Sequence, residues 1–198
     1  MKKIAIVVLL SACVTTPALA DNSGKFYGAV DLGSASMTNN SLINGSTTTP
    51  VSGAVRIAGG YNFSQNFAVE VGYAKLRSSG PQNSTVLGIG TETQTGKGSS
   101  AQIAAVGILP LNDAWSLFGK VGLANNRTDY TLTSSYGANV TGSGSSTSLL
   151  TGFGFQYNVN SKFTIRGQLE SFGNNQIGSG SGVTINTSMM SIGGVYNF

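Results

Sequence analysis

The 198-residue sequence has no histidine and a single cysteine, Cys13. Charge is scarce as well: Asp, Glu, Lys and Arg make up 9% of the chain, against about 25% in soluble domains. No uninterrupted apolar run approaches the roughly 20 residues that a membrane-crossing helix needs. Each shortage removes a class of protein. Without histidine there is no Ser–His nucleophile pair and no His-ligated metal site. Few bases argue against a nucleic-acid partner. Gly88-Ile-Gly90 and Gly142-Ser-Gly144 lack the continuation of a phosphate-binding loop. No enzyme, cofactor or metal is expected.

The first twenty residues have their own logic. Lys2 and Lys3 precede a short apolar run, Ile4 to Leu10, and Ala18-Leu19-Ala20 ends the segment before Asp21. This is the form of a secretory signal peptide. Residues 1–20 are therefore expected to be removed, leaving 21–198 as one domain. Leu10-Ser-Ala-Cys13 has the form of a lipoprotein box, but the apolar run before it is short and the Ala20 site is good. Cleavage removes Lys2 and Lys3, so the formal charge falls from +4 to +2. It also removes Cys13, so no disulfide can staple the exported chain.

What the chain has in excess is glycine, 28 residues, and alternation. Strands of period two place one set of side chains on each face. Residues 25–33 set Phe26, Val30 and Leu32 against Tyr27, Ala29 and Asp31. Residues 53–63 set Val55, Ile57, Tyr61 and Phe63 against Ala54, Arg56 and Ala58. Residues 67–76 set Phe67, Val69, Val71 and Tyr73 against Ala68, Glu70 and Ala74. In 100–109 both sets are apolar; Ala101, Ile103, Ala105 and Leu109 are read as the outer set. Strands at 115–124, near 147–157 and at 163–170 follow, with Lys120, Arg166 and Glu170 on the less apolar sets. The last strand ends Met189-Met-Ser-Ile-Gly-Gly-Val-Tyr-Asn-Phe198, with Met190, Ile192, Tyr196 and Phe198 on its apolar face.

Eight strands result. Short turns at 64–66, 110–114 and 158–162 alternate with polar loops at 34–52, 77–99, 125–146 and 171–182. An even number of strands, each apolar on one face, with short connections at one end and long ones at the other, predicts an all-β, antiparallel, up-and-down transmembrane β-barrel. Two patterns agree. Phe26, Tyr61, Phe63, Phe67, Trp115, Phe155, Tyr157, Phe163, Tyr196 and Phe198 fall near the short-turn end of the outer set, as an interfacial girdle would. Asp31, Arg56, Glu70, Lys120, Arg166 and Glu170 all fall on the inner set, three acids and three bases that can pair across a lumen.

Certain segments carry a family resemblance: Phe26-Tyr-Gly-Ala-Val-Asp-Leu-Gly33, Phe67-Ala-Val-Glu-Val-Gly-Tyr73, Gly107-Ile-Leu-Pro-Leu-Asn-Asp-Ala-Trp115, Phe118-Gly-Lys-Val-Gly122 and Gly194-Val-Tyr-Asn-Phe198. Together they resemble the eight-stranded bacterial outer-membrane barrels of the outer-membrane-protein-A and opacity-protein type. The resemblance implies that Glu70, Lys120 and Arg166 form a buried ion cluster. It also implies that the terminal Phe198 is part of the signal read by the barrel-insertion machinery. The chain departs from the family in carrying Val106 where a base is expected. It also has no peptidoglycan-binding domain after the barrel, so cell-wall anchoring is not expected.

The expected location is the bacterial outer membrane, among lipid and lipopolysaccharide. The expected role is structural, or surface interaction and adhesion through the four loops, with a host or surface ligand. The alternative is a small channel or ligand-binding barrel. Glu70 and Glu170 as a catalytic acid pair are set aside in favour of structural ion pairs.

Overall fold

The computed structural model describes residues 22–41, 45–77, 82–86, 90–134, 139–176 and 184–198. The expected signal peptide and Cys13 lie outside these. The described chain folds into nine strands: β1 Lys25–Ser41, β2 Gly45–Asn62, β3 Phe67–Arg77, β4 Gln82–Val86, β5 Gly90–Pro110, β6 Trp115–Ser134, β7 Asn139–Asn158, β8 Phe163–Gln176 and β9 Thr184–Asn197. There is no helix among the described residues.

Every pairing is antiparallel between chain neighbours, except that β4 stands aside and β3 pairs with β5. The last strand returns to the first, from Tyr27↔Asn197 to Asn40↔Thr184. The sheet therefore closes into an eight-stranded barrel. Around the closed ring each of the eight barrel strands is paired on both edges, which a bilayer demands because lipid offers no partner to a free N–H or C=O.

The three short turns share one device. In each, a side-chain oxygen accepts hydrogen bonds from backbone N–H groups two or three residues on. Asn112 Oδ1 accepts from Ala114 N and Trp115 N at 2.9 and 2.8 Å. Asn160 Oδ1 does the same for Lys162 N and Phe163 N at 2.9 and 2.8 Å. Ser64 Oγ accepts from Asn66 N at 3.3 Å. Asn and Ser favour turns through this local bond.

The other end differs from the expectation. Much of the four predicted loops is strand, not loop. The β1–β2 ladder continues to Ser41↔Gly45 and the β6–β7 ladder to Thr133↔Asn139. The second loop contains β4, which folds back on β5. Past the membrane both faces of a strand meet water, so the apolar alternation that marks a strand disappears while the backbone ladder persists. Thr47-Thr48-Thr49 is a strand-favouring run whose lack of apolar residues hides it. Residues 42–44, 78–81, 87–89, 135–138 and 177–183, which include tips of the predicted loops, lie outside the described residues.

The outer face is a continuous apolar belt: Val30, Ile57, Val71, Ile103, Val121, Leu149, Phe153 and Ile192 are each about half exposed or more. A belt of this size is far larger than a soluble surface carries. The parity read for 100–109 holds, with Gln102, Ala104 and Val106 buried and Ala101, Ile103 and Leu109 exposed.

Candidate functional site

The barrel interior is layered. Toward the turns lie Tyr27, Ala29, Ala68, Val106, Phe118 and Val195. Toward the hairpins lie Leu76, Ala104, Ala124, Leu150, Phe172 and Met189 with smaller neighbours. Between them sits a plane of charge. The structure brings together all six predicted ionic residues, and each is at most 4% exposed.

Two carboxylates organise the plane. Asp31 on β1 accepts from Arg56 Nη1 at 2.7 Å and from Arg166 Nε and Nη2 at 2.8 and 2.6 Å, the second guanidinium bound in bidentate fashion. Glu70 on β3 accepts from Arg56 Nη2, from Lys120 Nζ at 2.8 Å and from Arg166 Nη1 at 2.7 Å. Glu170 on β8 completes the count, 3.2 Å from Lys120 Nζ and 3.6 Å from Arg56 Nε. Charge balances at three against three. Charge-assisted bonds of this kind are strong in a dry interior, and their geometry must be good to offset desolvation.

Neutral groups finish the network, and the sequence did not single them out. Tyr27 Oη donates to Glu70 Oε2 at 3.1 Å. Arg56 Nε donates to Gln102 Oε1 at 3.0 Å, and Lys120 Nζ to Gln168 Oε1 at 2.8 Å. Gln168 Nε2 passes the chain on to Ser191 Oγ at 3.2 Å. Their one sequence signal is a polar residue on the inner parity of a strand. Val106, where the resemblance implies a base, packs in the turn-side apolar layer; Arg56 on β2 supplies the third cation instead.

The plane needs missing side chains. A Cβ on Gly193 would collide with Asp31 Oδ1, and one on Gly72 would lie 3.2 Å from Arg56 Nη2. A cavity of about 70 Å3 opens at the turn end and reaches Glu70, Lys120 and Arg166. That is room for several waters.

At the same end, outside, aromatic residues predicted for the girdle make ring contacts in three groups. Phe26, Tyr61, Phe63 and Phe67 form a chain with centroids 4.8, 4.9 and 5.9 Å apart. Trp115 lies 4.9 Å from Tyr157 and 6.1 Å from Phe155, and Tyr196 5.2 Å from Phe198. Phe163 is also exposed on this face. Phe198 is pinned by its own N–H, which donates to Phe26 O at 3.0 Å.

A closed barrel with an apolar exterior and a charged interior is one observation; the second is a family match. The model of the outer membrane protein β-barrel domain matches residues 6–198. The chain belongs to this family. As an outer membrane β-barrel protein it crosses the membrane with eight strands. Solved structures share the fold. The attachment invasion locus protein Ail of Yersinia pestis is 21% identical, with 89% of this chain and 99% of that one covered and a TM-score of 0.54. Neisserial surface protein A is 19% identical, covering 87% and 97%, with a TM-score of 0.61. OprG of Pseudomonas aeruginosa is 12% identical, covering 89% and 98%, with a TM-score of 0.54. No curated protein matches the chain in sequence.

Proposed function

We propose that this outer membrane barrel is a non-enzymatic surface scaffold that acts through its four hairpin extensions in adhesion. Residues 1–20 direct its export, and the closing strand with Phe198 serves as its insertion signal. One contrast carries the reading. The lumen is packed by an ion plane between two apolar layers, whereas the hairpins keep their order well beyond the lipid. On β6 the last outward apolar residue is Leu123, yet pairing continues to Thr133. Ten further residues of strand extend roughly 30 Å. Long, ordered, polar hairpins on a rigid base suit recognition. The chain has no histidine, and the interior acids Asp31, Glu70 and Glu170 are engaged by bases, which favours a structural role for them.

Ail of Yersinia pestis has been solved with sucrose octasulfate, a heparin analogue. A sulfated glycan is therefore the first ligand to test. Cells displaying the chain should bind an immobilised sulfated glycan or a host cell layer. A variant lacking residues 130–142, which keeps the Asp129↔Ser143 rung, should lose that binding while its folded and boiled forms still differ in gel mobility. Unchanged binding by variants shortened in this way at every hairpin would overturn the proposal. So would steady ion conductance in planar bilayers, which would move the function into the lumen.

A further inference from the structure

The cavity at the turn end has two tiers. Its floor is charged. Glu70, Lys120 and Arg166 reach it, already joined through Glu70 at 2.8 and 2.7 Å. Its rim is neutral. Asn22, Asn62, Gln65, Gln156, Asn158 and Asn197 line it. Each of these carboxamides has an acceptor oxygen and two donor hydrogens. Small-molecule pockets usually start at about 300 Å3. This space, at about 70 Å3, has the scale of a single end group.

The start of the domain turns into this rim rather than away from it. β1 begins at Lys25. Just before it, Gly24 takes φ 75°, a left-handed conformation that glycine adopts without steric cost. Its N–H donates to Asn62 O at 2.7 Å, and Lys25 N donates to Asn22 O at 3.3 Å. The tight turn sets Asn22 in the cavity wall. Among the described residues Asn22 Oδ1 is buried and accepts no hydrogen bond, a state that favours uptake of a donor. One residue, Asp21, separates Asn22 from the expected cleavage site after Ala20.

We infer that leader removal creates the occupant of this cavity. The new α-ammonium group of Asp21 seats in the carboxamide rim, and Asn22 Oδ1 is one of its acceptors. That occupant exists only if cleavage follows Ala20, as the export role proposed for residues 1–20 requires. Proximity favours it over a dissolved molecule: Asp21 lies one residue, about 3.8 Å of chain, from Asn22. Charge favours it too. Asp21 then carries an ammonium and a carboxylate, so it adds no net charge beside a balanced plane. A chain that keeps its leader has a peptide N–H at residue 21 and cannot fill the site in this way. The turn-end mouth is thus finished only after export.

The test uses the chain from Asp21 to Phe198, folded in detergent micelles and checked by gel mobility. Near pH 7 an acylating reagent labels the α-amino group ahead of lysine, whose amine is more fully protonated. Mass spectrometry follows the label. A charge-assisted hydrogen bond is worth about ten-fold, so Asp21 should be labelled slower by that factor in folded chain than in chain unfolded by urea. One glycine inserted ahead of Asp21 moves the ammonium out of reach and should restore the unfolded rate. Asn22→Leu removes the rim acceptor and should speed labelling toward that rate. Lys25 and Lys162, at the same end, should react equally in all these chains, which excludes a general block by the micelle. Equal folded and unfolded rates at Asp21 would overturn the inference and leave the cavity to water. Slow labelling that persists in both variants would also overturn it, since protection would then owe nothing to the rim. Cleavage is checked separately, by N-terminal sequencing of chain recovered from outer membranes. A start at Asp21 with equal rates would sink the docking alone; a start elsewhere would sink the export reading and the docking with it.

Discussion

The two faces of each strand in this barrel invert the rule of soluble proteins. On β6, Val121 and Leu123 face out while Lys120 faces in; on β8, Ile165 and Leu169 face out while Arg166 and Glu170 face in. The difference shows what each solvent tolerates. Lipid accepts the apolar face without cost and penalises any charge. The lumen accepts charge only when each ion finds an opposite partner at hydrogen-bonding distance. Backbone bonding is the same on both sides, so side-chain parity alone decides the orientation of the sheet.

Substitutions can break that contrast in graded steps. The deepest cut is Glu70→Ala. It leaves Arg56, Lys120 and Arg166 with one carboxylate partner fewer each, and breaking a buried ion pair costs about 3–5 kcal/mol. The urea midpoint for unfolding from lipid should fall accordingly, and an unchanged midpoint would mean that the plane is not dry. Next comes the outer face. Val121→Arg places a charge on the lipid side near mid-membrane, where the cost is about 2–4 kcal/mol. The same residue type that the lumen holds at Arg166 should there destabilise the barrel, measured by the same midpoint. The smallest step is the exposed ion pair. Arg127→Ala removes the contact with Asp129, which solvent screens, so in lipid free of anionic headgroups stability should move by no more than about 0.5 kcal/mol.

The inverted pattern is also why so much of the barrel is legible in the sequence. Period-two alternation specified the faces of seven strands; at 100–109 both sets are apolar and the pattern alone does not decide, and the structure puts Gln102, Ala104 and Val106 inside. The six ions were legible because a charge within a membrane strand has only one tolerable direction. What escaped was chemistry without contrast. Tyr27, Gln168 and Ser191 complete the plane, yet a polar or aromatic residue on an inner parity does not announce a partner one or two strands away. The hairpin extensions escaped for the opposite reason: with water on both sides, nothing in the side-chain pattern distinguishes ladder from loop. The register shift between Ser171 and Asn174, where Gly173 takes φ 71°, likewise leaves no periodic trace.

The return of β9 to β1 makes chain completeness a condition of existence for this fold. Tyr27 finds Asn197 across nearly the full length of the polypeptide, so the first strand waits with one edge open until the last has arrived. A chain stopped before β9 would not make a slightly smaller barrel. It would present two raw edges, those of β1 and β8, each a row of unpaired backbone groups costing several kcal/mol apiece in lipid. Circular closure therefore acts as a length gauge: the finished ring satisfies its backbone in lipid and the fragment does not.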